Sequence, residues 1–326
     1  MEIRILTRET VAALADMPEA IALMKKAFAE LSAGTAIVPQ RIHMDLPALN
    51  ALSLVMPAYA PAAGHIGIKT ISMFHDNPGR EMPFIQGLMQ VLDGENGRPR
   101  ALMDAALLTA IRTGAASGAA TDLMARPDAR IAALVGPGTQ GVWQLQAVCR
   151  VRSIEKVLVL GRSRDKTAAF CRDMADQLGI PVEALSGPAR LREADIVCTA
   201  TTSETPVFED GDIAPGTHLN GVGSYKAHMQ EIPLETVRRA RVIVDNREAV
   251  QKEGGDLALP ISRGELTADH IRGELGEVVL GKVPGRQTSE QVTFFKSVGN
   301  AVQDCVLAAA LMQKAEDRDL GARVAL

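Results

Sequence analysis

The apolar run Ile131-Ala132-Ala133-Leu134-Val135 leads straight into Gly136-Pro137-Gly138-Thr139-Gln140-Gly141, and a helical stretch follows from Val142 to about Arg152. A strand, a G-x-G-x-x-G turn and a helix in that order constrain the fold more than any other feature of this chain. The first glycine permits the tight turn. The second lets backbone N–H groups approach a pyrophosphate. The third allows close helix–strand packing, and the helix N-terminus adds partial positive charge. The motif therefore predicts a dinucleotide site, with Gly136, Gly138, Thr139, Gln140 and Gly141 around the phosphates. Unusually, more than a hundred residues precede it.

The next apolar run, Lys156-Val157-Leu158-Val159-Leu160, ends at Gly161-Arg162-Ser163-Arg164. An NAD site usually has Asp or Glu here, about 20 residues past the loop, to hold the ribose 2′-hydroxyl. This strand end has no carboxylate before Asp165. Arg162 and Arg164, with Ser163, suit a 2′-phosphate, because guanidinium groups make forked bonds to phosphate oxygens. The expected cofactor is NADP(H) in preference to NAD(H).

Around this unit the chain alternates strand and helix. Strands are expected at 131–135, 156–160, 195–200, 217–222 and 241–245, with helices at about 142–151 and 165–178. Alternation of this kind implies a parallel, doubly wound α/β sheet of Rossmann type. Upstream, residues 9–33 read as one helix, with Thr7 as N-cap and Gly34 as its end. Residues 50–56, 64–74 and 86–93 read as antiparallel strands separated by Pro57, Asn77-Pro78-Gly79 and Asp93-Gly94-Glu95-Asn96-Gly97. An Ala-rich helix is expected from Thr109 to about Ala125, and a last long helix over 294–316. The Rossmann domain, 119–304, is thus expected to be inserted into a second α/β domain made of 1–118 and 305–326.

Composition narrows the partners. At 326 residues the chain has room for two cores, and 47% hydrophobic residues with a net charge of −4 are ordinary for a soluble globular protein. There is no basic run and only 3% aromatic residues, so no nucleic-acid partner is expected. No apolar stretch is long enough for a membrane span, and Met1-Glu2-Ile3-Arg4-Ile5-Leu6 lacks the apolar core of a signal peptide. Cys149, Cys171, Cys198 and Cys305 show no C-x-x-C pairing or metal spacing. They read as free thiols of a cytoplasmic protein without a metal.

A nucleotide domain binds a cofactor but does not choose a substrate. Three cations in the first domain stand out: Arg41 after Val38-Pro39-Gln40, Lys69 inside an apolar strand, and Arg112 inside an apolar helix. Lys and Arg are seldom buried unless paired. Each alone reads as a snorkelling or ion-paired residue. All three together, beside a hydride carrier, suggest an anionic small-molecule substrate, with arginines on a carboxylate and a desolvated lysine as acid or base.

The ordered segments carry a resemblance. They include Gly67-Ile68-Lys69, Leu92-Asp93-Gly94-Glu95-Asn96-Gly97-Arg98-Pro99, Leu108-Thr109-Ala110-Ile111-Arg112-Thr113-Gly114, Gly136-Pro137-Gly138-Thr139-Gln140, Val222-Gly223-Ser224, Gly254-Gly255-Asp256-Leu257 and Lys296-Ser297-Val298-Gly299-Asn300-Ala301-Val302-Gln303-Asp304. Along nearly its whole length the chain resembles the ornithine cyclodeaminase/mu-crystallin family. The resemblance implies that Arg41, Lys69 and Arg112 hold the substrate carboxylate and assist proton transfer. It implies that Thr113, the 136–141 loop, Val222 and Ser224 serve the cofactor. Ser297 to Gly299 then border the nicotinamide, with Ser297 and Gly299 touching substrate, and the first domain forms a homodimer.

The family holds several activities. Cyclodeaminases carry an aspartate at the place that Tyr225 occupies here, and a tyrosine cannot supply that charge near neutral pH. The Val-Gly-Ser and Lys-Ser-Val-Gly segments look more like the ketimine reductase and pyrroline-carboxylate reductase branch. Ala227-His228 and Phe84 depart from that branch. The expected activity is NADPH-dependent reduction of a cyclic imino 2-carboxylate, such as Δ1-pyrroline-2-carboxylate or Δ1-piperideine-2-carboxylate, to proline or pipecolate. NAD-dependent ornithine cyclodeamination, an alanine dehydrogenase-like activity and a non-catalytic, crystallin-like nucleotide-binding protein stand as alternatives.

Overall fold

The computed structural model of the chain describes residues 2–325. In chain order the elements begin with β1 (Glu2–Leu6), α1 (Arg8–Leu14), α2 (Met17–Ala33), β2 (Ile42–Leu46), β3 (Ala51–Ala60), β4 (His65–Phe74), β5 (Ile85–Asp93), β6 (Pro99–Asp104) and α3 (Ala105–Met124). Next come β7 (Ile131–Val135), α4 (Thr139–Val151), β8 (Lys156–Leu160), α5 (Arg164–Leu178), β9 (Val182–Ala184), β10 (Ile196–Thr199), β11 (His218–Gly221), α6 (Leu234–Arg239) and β12 (Arg241–Val244). The chain finishes with α7 (Arg247–Glu253), α8 (Gly255–Ser262), β13 (Ile271–Glu274), α9 (Leu275–Val279), β14 (Thr293–Lys296), α10 (Ala301–Asp317) and β15 (Ala322–Ala325).

Two compact units result. One runs up to Arg112 and resumes at Asn300; the other is Thr113–Gly299. These boundaries differ from the expected 118/119 and 304/305. The first falls inside α3, so Arg112 and Thr113 are neighbours in one helix but belong to different units.

The first unit holds a seven-stranded sheet in the order β15-β1-β6-β5-β4-β3-β2. Strands β2 to β6 pair antiparallel, β1 pairs parallel to β6, and α10 packs on β3, β4 and β5. Pro57 is tolerated in β3 because β2 pairs only with Ala51–Val55, leaving β3 without β2 as a neighbour at that residue. The helix expected over 9–33 is two helices. Ala15 is extended, Asp16 accepts from the Glu19 N–H at 2.9 Å, and Pro18 sits in the first turn of α2, where its missing N–H is harmless.

The second unit holds an eight-stranded sheet in the order β13-β12-β14-β11-β10-β7-β8-β9, parallel throughout. Chain order reverses at β7. The sequence goes outward to β8 and β9, then returns to β10 on the other side of β7, which makes the carboxyl ends of β7 and β10 the topological switch point. The core strands are buried on both faces, as parallel strands between helices must be. The helix expected over 294–316 begins only at Ala301. Thr293-Phe294-Phe295-Lys296 is instead the buried strand β14 between β11 and β12. Gly299, at φ +81°, turns the chain, and Asn300 caps α10.

Candidate active site

In the second unit, the glycine turn follows β7 at the switch point. Gly136 has φ +99°, and a Cβ there would lie 2.7 Å from the Ala200 carbonyl oxygen. A Cβ on Gly141 would lie 2.7 Å from Leu134 Cδ2. Both positions therefore need glycine for packing. Gly138 differs: nothing lies within 4 Å of its Cβ position, and it begins α4 without any side-chain cap. The helix starts at Thr139, three residues earlier than expected, so Thr139, Gln140 and Gly141 form its first turn. An open glycine before an uncapped helix start fits a pyrophosphate. A Cβ on Gly161 would meet Pro137 Cγ at 2.7 Å, so the end of β8 lies against this turn. Arg162, Ser163 and Arg164 follow on the surface, with Ser163 capping α5.

Thr113 accepts a hydrogen bond from Gln144 Nε2 through its carbonyl at 3.4 Å. The next residue, Gly114, lies so close to Trp143 that a Cβ would collide with the Trp143 carbonyl oxygen. Close packing of α3 on α4 thus holds Thr113 beside the helix that carries the glycine turn.

The carboxyl ends of β10, β11, β12 and β14 carry a network that the sequence did not reveal. Asp245 Oδ2 accepts from Ser297 Oγ at 2.8 Å and from the N–H groups of Val298 and Gly299 at 3.0 and 2.7 Å. Glu231 accepts from Thr199 Oγ1 and from the N–H groups of Thr201, Gly223 and Ser224 at 2.6–3.2 Å. Burial, then the neighbouring Asp256, push its carboxyl above the usual range. Lys296 Nζ reaches Ser224 Oγ at 2.5 Å and Asp256 Oδ2 at 3.3 Å, and Ser224 Oγ also bonds Asp256. Val222 donates its N–H to the Thr199 carbonyl at 3.0 Å. Val222, Ser224, Ser297 and Gly299 thus sit together on one acid-braced strand edge.

Tyr225 follows Ser224. Its phenol is largely buried, and that burial raises its pKa above the ordinary 10. The group is neutral near pH 7, as the sequence argument requires.

The first unit gathers the cations. Alternation along β4 puts Gly67, Lys69, Ile71 and Met73 on its buried face. Met56 and Met89 pair with Lys69 from β3 and β5, so the ammonium stem lies between apolar side chains. A Cβ on Gly67 would meet Cys305 Cα at 2.9 Å; glycine lets the first turn of α10 come against β4. That approach delivers Asp304. Its Oδ2 is 2.7 Å from Lys69 Nζ and its Oδ1 is 3.0 Å from Arg112 Nε. Lys69 Nζ also donates to Thr109 Oγ1 at 3.3 Å, and Arg112 donates to Gln303 Oε1 at 3.2 Å. Thr109 and Arg112 share one face of α3 at i, i+3.

Lys69 is 1% exposed, Arg112 5% and Asp304 0%. Burial drives the Lys69 pKa down to about 7; Asp304 opposes the shift, and Arg112 and Arg41 add to it. Arg41 precedes β2 and is half-buried. All three predicted cations therefore belong to one unit, with Arg41 acting electrostatically on Lys69, while Ser297 and Gly299 lie in the other unit on Asp245. The partners Asp304, Gln303 and Thr109 fall within segments that carried the resemblance, but nothing in their spacing marked them as partners.

Residues 1–319 match the family model for the ornithine cyclodeaminase/mu-crystallin family. The chain belongs to that family. Among its curated members, the chain is 36% identical to a Δ1-pyrroline-2-carboxylate reductase of Bacillus cereus over 313 residues, 95% of this chain and 96% of that one. Among solved members, Thermococcus litoralis Δ1-pyrroline-2-carboxylate reductase, in complex with NADH and L-proline, superposes with a TM-score of 0.96 at 36% identity, covering 99% of this chain and 100% of that one. An archaeal alanine dehydrogenase dimer with bound NAD gives a TM-score of 0.95 at 30% identity, with both chains fully covered. The shared α/β fold spans both units of the family member described here.

Proposed function

We propose that this chain reduces cyclic imino 2-carboxylates, Δ1-pyrroline-2-carboxylate or its six-membered homologue Δ1-piperideine-2-carboxylate, to proline or pipecolate with NADPH. It is an NAD(P)-dependent oxidoreductase acting on carbon–nitrogen bonds. The observation that carries it is the cluster in the first unit, where Lys69 and Arg112 share a single buried carboxylate, Asp304, and Arg41 adds its field. Two buried cations on one carboxylate suit an anionic ligand.

A pyridine nucleotide supplies a hydride. The chain's own residues do the rest. Arg112 and Arg41 bind the substrate carboxylate and fix the ring. Lys69, titrating near 7, holds a proton at the ring nitrogen, so that the imine carbon is electrophilic and the product leaves as an amine with its N–H made. Thr113, Gly136, Gly138, Thr139, Gln140 and Gly141 take the nucleotide phosphates. Val222, Ser224, Ser297 and Gly299 line the nicotinamide end, with Ser297 and Gly299 closest to substrate. Arg162, Ser163 and Arg164 take the 2′-phosphate. The relative that was solved with NADH makes this last assignment the one most worth testing.

Alanine dehydrogenase-like chemistry, reduction of the open imine of pyruvate, is the second reading, favoured by the 0.95 TM-score to the archaeal enzyme. Ornithine cyclodeamination is disfavoured by the neutral phenol at Tyr225. A homodimer through the first unit is also proposed. Ile37, Ile42, Met44, Leu49, Met82 and Leu88 are large, apolar and exposed there. A monomer in sedimentation at micromolar concentration would remove the dimer.

The test is nucleotide oxidation with both cyclic imines, with pyruvate plus ammonia, and ammonia release from ornithine. Turnover is expected with a cyclic imine and NADPH, and none with ornithine. Removing Arg162 and Arg164 should weaken NADPH selectively, by about 1.5–3 kcal/mol per guanidinium–phosphate contact. Equal affinity of the native protein for both nucleotides would overturn the NADPH assignment, and faster turnover of pyruvate with ammonia would install the second reading.

A further inference from the structure

Gln303 is fully buried, at 0% exposure, in the first turn of α10. Its side-chain oxygen accepts from two directions: from Arg112 at 3.2 Å and from the Asn300 N–H at 2.7 Å. Two donors on one atom fix which end of the amide is oxygen. The nitrogen is therefore fixed as well, and Nε2 has no hydrogen-bond partner. A buried amide nitrogen with both hydrogens unused carries an unrecovered desolvation penalty.

The neighbours say what would satisfy it. Gln303 stands in the cluster of Lys69, Arg112 and Asp304, and the Asp304 carboxylate is already taken by Lys69 on one oxygen and Arg112 on the other. The cluster holds one carboxylate, Asp304, for the two buried cations Lys69 and Arg112, so its surplus charge is positive. An amide donor tied to the guanidinium of Arg112 extends that group's reach by one more N–H.

We propose that Gln303 is a substrate-binding residue whose side-chain N–H donates to the same ligand carboxylate that Arg112 binds. This rests on the imino-carboxylate reading above. Acting as a second, uncharged donor, Gln303 also sets the plane of the carboxylate relative to Arg112, which a single guanidinium pairing with Asp304 leaves undetermined.

The experiment uses the full chain with saturating NADP(H), and reads KM for Δ1-pyrroline-2-carboxylate and Kd for L-proline. Gln303→Glu keeps the acceptor for Arg112 and for the cap of α10 but replaces the donor with an anion. It should raise both constants at least about tenfold, while nucleotide affinity and the thermal midpoint stay unchanged. Gln303→Met removes the donor without adding charge, together with the acceptor that Arg112 and the Asn300 N–H use, and should raise them by a smaller factor. It serves alone if the glutamate variant does not fold.

An indirect role is separated in the Arg112→Ala background. Direct contact predicts that Gln303→Met still weakens L-proline there, and no further weakening would overturn the proposal. Native-like KM and Kd in both Gln303 variants would also overturn it while leaving the reductase reading intact. A native protein that neither turns over the imine nor binds L-proline would overturn both.

Discussion

Each unit buries a lysine against an aspartate, and the two pairs are built to different ends. In the second unit Lys296 meets Asp256 at 3.3 Å, Ser224 Oγ at 2.5 Å and the Gly221 carbonyl at 3.4 Å, while Asp256 also accepts from the N–H groups of Glu231 and Ile232. Acceptors outnumber cations there, and every one is engaged. In the first unit Lys69 meets Asp304 at 2.7 Å, but two arginines crowd the same carboxylate or the same field. Cations outnumber carboxylates. The first arrangement is complete and braces a strand edge. The second sets two buried cations on the single carboxylate of Asp304 and so carries net positive charge. A buried ion pair is thus weak evidence for function by itself; the imbalance of charge and hydrogen-bonding capacity around it is what points to a ligand.

The sharpest way to break this comparison is to truncate both lysines. Lys69→Ala should lower kcat by about 10²–10⁴-fold, the usual contribution of a positioned proton donor, while nucleotide affinity is retained. Lys296→Ala leaves Asp256 buried without its cation and should cost about 3–5 kcal/mol in urea unfolding. Steady-state kinetics and unfolding are measured on both variants. A Lys69→Ala protein with native kcat, or a Lys296→Ala protein of native stability, would erase the distinction between the two pairs.

Much of this was legible in the chain, for local reasons. The glycine turn announces itself because φ at Gly136 and close packing at Gly141 are demands on single residues. Lys69 and Arg112 stood out because a charge in an apolar run must be either paired or used. Their partner did not stand out: Asp304 lies 192 positions from Arg112, on a helix whose Ala/Leu-rich pattern gives no hint of which face meets β4. The signal that could have found it is Gly67, whose lack of a side chain marks where a second backbone approaches. Strand β14 was hidden for another reason. Its Thr-Phe-Phe-Lys run is short, buried on both faces and followed closely by a true helix, so periodicity could not separate the two. With it were hidden Lys296 and the acid network at the strand edge.

The smallest expected effect is also the most direct reading of the Lys69 environment. Its pKa stands near 7 because burial, helped by Arg112 and Arg41, favours the neutral amine against the pull of Asp304. If the protonated ammonium is the working form, kcat should fall as pH rises, with a midpoint near 7. Asp304 raises the pKa, so Asp304→Asn removes that support and the midpoint should move to lower pH. The stability consequence has the opposite sense. The unfolded lysine keeps its proton up to about 10.4 whereas the folded one gives it up near 7, so the unfolded state binds more protons between these values. Lys69 therefore makes folding stability rise with pH across that window, while activity declines over its lower end. Pairing a pH–kcat profile with urea unfolding at pH 7 and pH 9 checks both signs on the same protein. A kcat profile flat through pH 6–9, or a midpoint that Asp304→Asn moves upward, would show that the proton at issue is not held by Lys69.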